Sequence, residues 1–388
     1  MAITNRRPTK DKGAIIISLL FIAIYLFEAA SKYYRHEYNN TPSNVPRVVF
    51  LLVCIMIIIS RLNIKSLSFI FACLFATAWF MVGLVFNDSI IGGDVISSAF
   101  QFFKYISGLL VMYAFYTCTN KKILANTFFY LFIFNCLAAI VSFIFDIEWM
   151  RTYGHIRDIN DNFIDSRFGF NGFILEQNIS TFFYVAGLYC TYFQVKYAGK
   201  SYIYILIAIF GCLIIGTKSI FLSLLFIPAF LFIKQNNIKL LFFTLALAVV
   251  VVLLAGANIV DYDTLNEILS FRPYNYVNRL SPLLDSYDVF NLIFGFQISD
   301  YTEYLTEFEI VDMVSFFGVV VTFIYLILFV YLCYIFGVNS NNKELIFNYA
   351  LTISFISFLS GHLFYDPISM IYTAFGLTSI CINKEIYK

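Results

Sequence analysis

Charge is scarce in this chain: Asp, Glu, Lys and Arg supply 13% of its 388 residues, while hydrophobic types supply 61%. A soluble fold of that length has too little interior to bury so much apolar surface, so a water-soluble globular class is excluded. Histidine is nearly absent, and His36, His155 and His362 fit no zinc-ligand spacing. No metal site is therefore expected; His362 beside Asp366 at a tight turn comes nearest to one. The chain has no Walker loop and no HExxH, which argues against an ATP-driven pump and a zinc protease. It has no heptad or solenoid period. Its net charge of +1 gathers into no basic patch, so nucleic acid is not an expected partner. Cysteine is missing from the connecting segments: residues 54, 73, 118, 136, 190, 212, 333 and 381 all lie in apolar runs or at their ends. That excludes a disulfide framework and makes them small core residues.

What is present is a series of twelve apolar runs, at roughly 14–31, 46–60, 67–86, 95–118, 123–145, 174–194, 201–215, 220–233, 240–257, 311–336, 345–361 and 367–383. A hydrocarbon core of about 30 Å needs about 20 helical residues, so most of these runs can span a bilayer and the two flanking residue 217 are short. The expected fold is all-α, a polytopic transmembrane bundle of about 12 spans forming one integral membrane domain over 1–388. The first run has basic residues ahead of an apolar core, as a signal peptide does. Glu28 just before Ala29-Ala30-Ser31 makes a poor cleavage site, so this run reads as a signal anchor.

The polar segments between the runs alternate in charge. Odd-numbered ones hold 15 of the 25 Lys and Arg with only three acids, and even-numbered ones hold 20 of the 24 acids. Basic segments stay in the cytoplasm, which predicts both termini inside and the acidic loops outside. Polar chemistry then belongs to the outer face. Three outer loops are long, 32–45, 146–173 and above all 258–310, and a loop of about 50 residues is generally functional or disordered. In the larger one Tyr262, Leu265, Ile268 and Leu269, then Tyr276, Val277, Leu280, Leu283 and Leu284, recur at helical spacing, with Pro273 and Pro282 as breaks. Short amphipathic helices over the outer mouth of the bundle are predicted there.

Several residues in these segments suit an anionic substrate. Residues 151–178 carry three arginines and a histidine just before the sixth span. Either these charges pair with neighbouring acids in water, or Arg167, beside a glycine-rich aromatic stretch, binds a phosphate in bidentate geometry. Arg272 and Arg279 invite the same two readings. Gly216-Thr217-Lys218-Ser219 joins runs of 15 and 14 residues, which rise only about 22 and 21 Å. Lys218 is then held below the outer surface at a helix N-terminus that favours an anion, unless it snorkels to the headgroups. Lys104 lies nine residues into the fourth span, where a cation is a functional candidate or the partner of an acid or a carbonyl. Glu28, near the outer interface, reads as solvated. Aromatic side chains supply 20% of the chain, and those in the outer loops, Tyr276 among them, either pack on sugar faces or form an interfacial belt.

Taken together these features resemble the O-antigen polymerase and ligase superfamily, in particular the Wzy-type polymerases. The resemblance rests on Arg167, Gly172-Phe173 and Glu176-Gln177-Asn178 leading into a span, with Gln177 in place of a proline. It continues through Thr217-Lys218-Ser219, where lysine replaces an arginine, then Arg279, Ile293-Phe294-Gly295-Phe296 without its second glycine, and Asp312 six residues before Gly318. It covers about residues 95–336. It implies a GT-C-like bundle in the bacterial inner membrane, active at the periplasmic face. There it would move a growing glycan from undecaprenyl pyrophosphate onto the next lipid-linked repeat unit. No metal and no cofactor would be needed, and membrane lipid and a chain-length regulator protein are the other implied partners. Arg167, Arg279, Glu176 and Asp312 become the expected catalytic set, with Lys104, Lys218, Arg272, Asn178 and Tyr276 binding substrate. The alternatives are an O-antigen ligase or a lipid-linked oligosaccharide flippase or transporter. A ligase typically carries a histidine in its large loop, and residues 258–312 contain none. Transporters are usually built from repeats, and no halves are visible here. A lipid-to-protein GT-C enzyme would want an acidic pair in its first outer loop, where 32–45 offers only Glu37.

Overall fold

The structure, a computed structural model, describes residues 11–38, 45–86, 95–152, 156–157, 163–164, 169–175, 177–217, 219–221, 223–224, 272–281, 288–296, 305–306, 308–338, 340, 342–360 and 363–382. It is mostly helical. The longer helices are α1 (Lys12–Tyr38), α2 (Val45–Ser60), α3 (Ile64–Phe86), α4 (Val95–Thr117), α5 (Lys121–Phe145), α6 (Gln177–Ala198) and α7 (Ile203–Ile214). In the large loop stand two short elements, α8 (Arg272–Asn275), which continues as a π turn over Tyr276–Leu280, and α9 (Val289–Phe294). The chain closes with α10 (Glu309–Val338), α11 (Lys343–Ser360) and α12 (Pro367–Ile380). Five helices, α1, α3, α4, α5 and α10, are long and apolar enough to cross a membrane. The expected runs at 220–233 and 240–257 lie almost wholly outside the described residues. The eight cysteines are all buried and unbridged, as their positions suggested.

At the centre is α12. Pro367 at its first turn cannot donate a backbone bond and needs none there, and Asp366 caps it by accepting from the Ile368 amide at 2.9 Å. Every residue from Ile368 to Ile380 is buried, as befits a helix apolar on all sides. It packs chiefly on α6 and α4, and then on α5 and α11. Rings fill the contact: Phe375 lies 4.3 Å from Phe21 and 4.9 Å from Phe128, and Tyr372 lies 5.0 Å from Phe183. Such ring pairs add about 0.5–1.5 kcal/mol each beyond area burial.

The bundle has two chemically distinct ends. At the first, Arg61 pairs with Asp11 at 2.5 Å and also donates to the Thr117 carbonyl. Asp11 further accepts from the Thr119 amide at 2.6 Å, the Thr119 hydroxyl at 2.8 Å and the Asn120 amide at 3.1 Å. Nearby, Lys121 sits 5.1 Å from the Phe336 ring, and Asn342 links the Tyr197 hydroxyl to the Ile380 carbonyl. These residues come from five of the odd-numbered polar segments and their flanks, so antiparallel packing gathers that set at one end. The opposite end collects the even-numbered segments. There Glu28 is 2% exposed and pairs with Arg47 at 2.5 Å. This corrects the expectation that Glu28 is solvated: α1 runs on to Tyr38, so Glu28 lies within the packed helix and takes a guanidinium in place of water.

Gly318 interrupts α10 with φ +79° and ψ 168°. A Cβ there would collide with the Ile293 carbonyl, and one at Gly295, φ +78°, would collide with the Phe316 carbonyl. The two glycines let the end of α9 cross α10 backbone to backbone, a contact sealed by the Phe296 amide donating to the Ser315 carbonyl at 2.7 Å. The motif residues Ile293, Gly295 and Gly318, far apart in sequence, thus meet in one crossing. Trp79 on α3 stacks on Phe294 at 5.2 Å and fixes α9 from the other side.

Two expectations follow. Gly318→Ala should destabilise the protein by about 2–5 kcal/mol, from left-handed strain plus overpacking, seen as a lowered melting temperature in detergent. An unchanged melting curve would contradict the crossing. For Asp11, burial alone would raise the carboxyl, but Thr119, Arg61 and the amides of Asn120 and Thr119 outweigh it and hold the group well below the usual carboxylate range. A folded-state value below the unfolded one adds stability at pH above about 3.9, and this is lost as pH falls through the folded value. Melting temperature should therefore drop more steeply below about pH 4 in the wild type than in Asp11→Asn; parallel profiles would sink the idea.

Candidate functional site

The second end is organised around a buried lysine. Lys32, four residues after Glu28 on α1, is 0% exposed and meets no carboxylate among the described residues. Its ammonium donates instead to the Met150 carbonyl at 3.2 Å, the Gly172 carbonyl at 2.7 Å and the Asn171 side-chain oxygen. Three donors meet three oxygens, which is the full capacity of an ammonium group. The sequence had placed Lys32 in an outer connection; the helix carries it into the protein.

Asn135 on α5 continues the network. Its oxygen accepts from the Tyr25 hydroxyl and the Phe173 amide, both at 2.9 Å, and its nitrogen donates to the Asn171 carbonyl at 3.1 Å and the Tyr184 hydroxyl at 2.8 Å. All four of its bonding positions are filled. The segment 171–173, where the chain returns into the bundle ahead of α6, is thereby held from α1, α5 and α6 together. The Asn171 side-chain nitrogen, fully buried, has no partner among the described residues.

Just upstream, the returning chain is stitched to two neighbours. The Thr152 amide donates to the Gly169 carbonyl and the Phe170 amide donates to the Ile214 carbonyl, both at 2.9 Å, and the Thr152 hydroxyl donates to the Ile215 carbonyl at 3.2 Å. Gly169, φ +142°, lies so close to Ile215 that a Cβ would strike its carbonyl. The backbone two residues beyond Arg167 and the turn that leads to Lys218 are therefore in direct contact. Within the loop, β1 (Ile156–Arg157) pairs antiparallel with β2 (Phe163–Ile164). Thr217, 4% exposed, has a hydroxyl with no partner among the described residues. Arg167, Glu176 and Lys218 themselves lie outside the described residues, and Asn178 stands in the first turn of α6.

The large loop contributes a second cluster. Arg272 is buried at the start of α8, Tyr276 is 37% exposed, and Arg279 is exposed with one 3.5 Å bond to the Leu305 carbonyl. Asp312, 1% exposed, accepts from the Thr306 amide at 2.9 Å and its hydroxyl at 2.6 Å, fixing the chain where it re-enters the bundle. Of the helices expected in this loop, the one around Tyr276–Leu280 is present and short, with only Leu280 of Tyr276, Val277 and Leu280 buried, while 262–269 and 283–284 lie outside the described residues.

Lys104 on α4 belongs to a third group of contacts. Its ammonium donates to the Tyr365 hydroxyl at 2.9 Å and lies 5.4 Å from the Phe100 ring, while Tyr365 in turn donates to the Gln101 oxygen at 3.2 Å. Tyr365 belongs to the turn before α12, whose amides bind Glu309 at the first residue of α10. Sequence reasoning passed over Lys32, Asn135, Asn171 and Glu309. The available signals were a lysine one helical turn after Glu28, a lone asparagine in an apolar run, and an acid at the mouth of a span.

The chain matches no family model, no curated protein and no solved structure. What it does must be argued from this geometry and from the sequence.

Lys32→Met should leave buried carbonyls without donors and cost about 2–4 kcal/mol. In membranes, limited proteolysis should then cut within 146–173 much faster than in the wild type. Equal cutting rates would show that Lys32 does not hold the loop.

Proposed function

We propose that this chain is a Wzy-type polymerase of lipid-linked oligosaccharide repeat units, a twelve-span bundle with both termini cytoplasmic and its site at the periplasmic face. One observation carries the reading. At a single end of the bundle, the segment that follows Arg167 is hydrogen-bonded to the turn that precedes Lys218, and the Arg279 segment is tied through Leu305–Thr306 to Asp312 and α10. Two pairs of motifs are thus each joined locally, and Arg167, Lys218 and Arg279 make the set they belong to largely cationic, which supports the reading. The charge alternation supports the orientation, since the end with Asp11, Arg61 and Lys121 holds the basic segments. The GT-C-like architecture belongs to the same proposal.

The chemistry follows from that set of charges. A hydroxyl oxygen of the acceptor sugar bonds to the anomeric carbon of the growing glycan. The bond from that carbon to the pyrophosphate oxygen breaks, and the lipid pyrophosphate leaves with the electron pair. Arg167, Lys218, Arg272 and Arg279, with Lys104, hold the pyrophosphate and stabilise the charge developing on the leaving group. Glu176 or Asp312 orients the attacking hydroxyl and takes its proton. Asp312 also holds Thr306, so its loss disturbs the loop as well as the chemistry.

Deletion of the gene followed by a lipopolysaccharide gel separates the readings. A core bearing one repeat means polymerase, bare core with lipid-linked polymer means ligase, and bare core with repeat units trapped inside means flippase. Arg167→Ala and Arg279→Ala should each cut polymerisation about a hundredfold or more while the protein stays in the membrane. Normal chain length in both variants would refute these assignments.

A further inference from the structure

The turn at Leu363–Tyr365 presents three successive backbone N–H groups to one carboxylate. Glu309 Oε2 accepts from the Leu363 amide at 3.1 Å and from the Ser357 hydroxyl, while Oε1 accepts from the Phe364 amide and from the Tyr365 amide at 2.9 Å. Consecutive amides in a turn form a concave anion site, and hydrogen bonds to a charged acceptor are the strong ones. The Glu309 residue is 4% exposed, so this contact is not a surface accident. The last residue of the nest is Tyr365, which is gripped twice: its amide by Glu309, its hydroxyl between Lys104 and Gln101. Tyr105 closes on its ring at 5.8 Å.

We infer that the Leu363–Tyr365 nest with Ser357 is a carboxylate-binding site filled by the chain's own Glu309, and that Glu309 is the positioning residue that aims Lys104. The carboxylate shapes the turn, the turn sets the Tyr365 ring and hydroxyl, and the hydroxyl holds the Lys104 ammonium. Nothing in this chain of contacts needs Glu309 to touch substrate. The importance of Lys104 for activity rests on the polymerase reading, whereas the coupling from Glu309 to Lys104 does not.

The test uses the full-length protein in native membranes. Lysines are acylated with a small membrane-permeant succinimidyl ester, and Lys104 labelling is quantified by mass spectrometry against total lysine labelling. Glu309→Ala should label Lys104 several-fold faster than wild type, and millimolar acetate, filling the vacated nest, should restore the slow rate where equal chloride does not. Tyr365→Phe keeps the amide and the ring, which lies 4.6 Å from the ammonium, but loses the hydroxyl, so Lys104 should label faster than in wild type without responding to acetate. It also carries the test if Glu309→Ala fails to reach the membrane. Equal Lys104 labelling in wild type and the variants, or release that acetate does not reverse in Glu309→Ala, overturns the inference. Repeat-unit polymerisation is scored separately, and misplacing a binding group should lower it about tenfold to a hundredfold in Glu309→Ala. Released Lys104 with normal polymer would leave the carboxylate site standing and remove Lys104 from the proposed reaction.

Discussion

Inside a membrane protein a buried charge must find its counterpart in the chain itself, because no water is at hand to solvate it. Three residues show how this constraint shapes the molecule. Lys32 is met by two carbonyls and an amide oxygen, Glu309 by three amides and a hydroxyl, and Asp11 by a guanidinium, three amides and a hydroxyl. In each case the partners are largely backbone groups of a connection that has no periodic structure to satisfy it. One interaction therefore solves two problems, neutralising a charge and ordering a loop. Met150, Asn171 and Gly172, the turn 363–365 and residues 119–120 are fixed in this way.

Those fixed connections explain how a short, wholly buried helix can sit at the centre. Fourteen residues in α12 rise only about 21 Å, less than a hydrocarbon core, so its ends stop short of the surface. Polar caps must be brought to it. Asp366 caps its start from within the chain, and the preceding turn is held by Glu309 from α10. The kink at Gly318 belongs to the same arrangement. It separates the first turns of α10, which serve the loop and the turn, from the long remainder that packs within the bundle.

Element existence was legible because apolar runs of this length have one meaning in so apolar a chain, and helices fall on every expected run that the described residues cover. The first helix was read too short. An acid and a lysine at residues 28 and 32 look like the edge of a membrane span, yet one turn apart they share a face that packs inward. The resemblance singled out Ile293, Gly295 and Gly318 as motif residues, and their meeting, two backbones in contact, required coordinates. For Lys32 and Glu309 the sequence marks the charged residue and not what holds it. Their partners are backbone atoms, and a backbone carbonyl or amide leaves no mark in a sequence.

The cations of the second end can be ranked by what already holds them. Lys32 has no donor left to offer, and Arg47 is committed to Glu28 at 2.5 Å. Arg279 differs. It is exposed, and its bond to the Leu305 carbonyl is 3.5 Å, at the edge of what counts as a hydrogen bond for a group with five donors. A guanidinium so lightly engaged, on a turn anchored by buried Leu280 and Arg272, is displayed on a firm support rather than spent on folding. In a chain this poor in charge, that contrast separates cations that build the end of the bundle from cations with capacity to bind there.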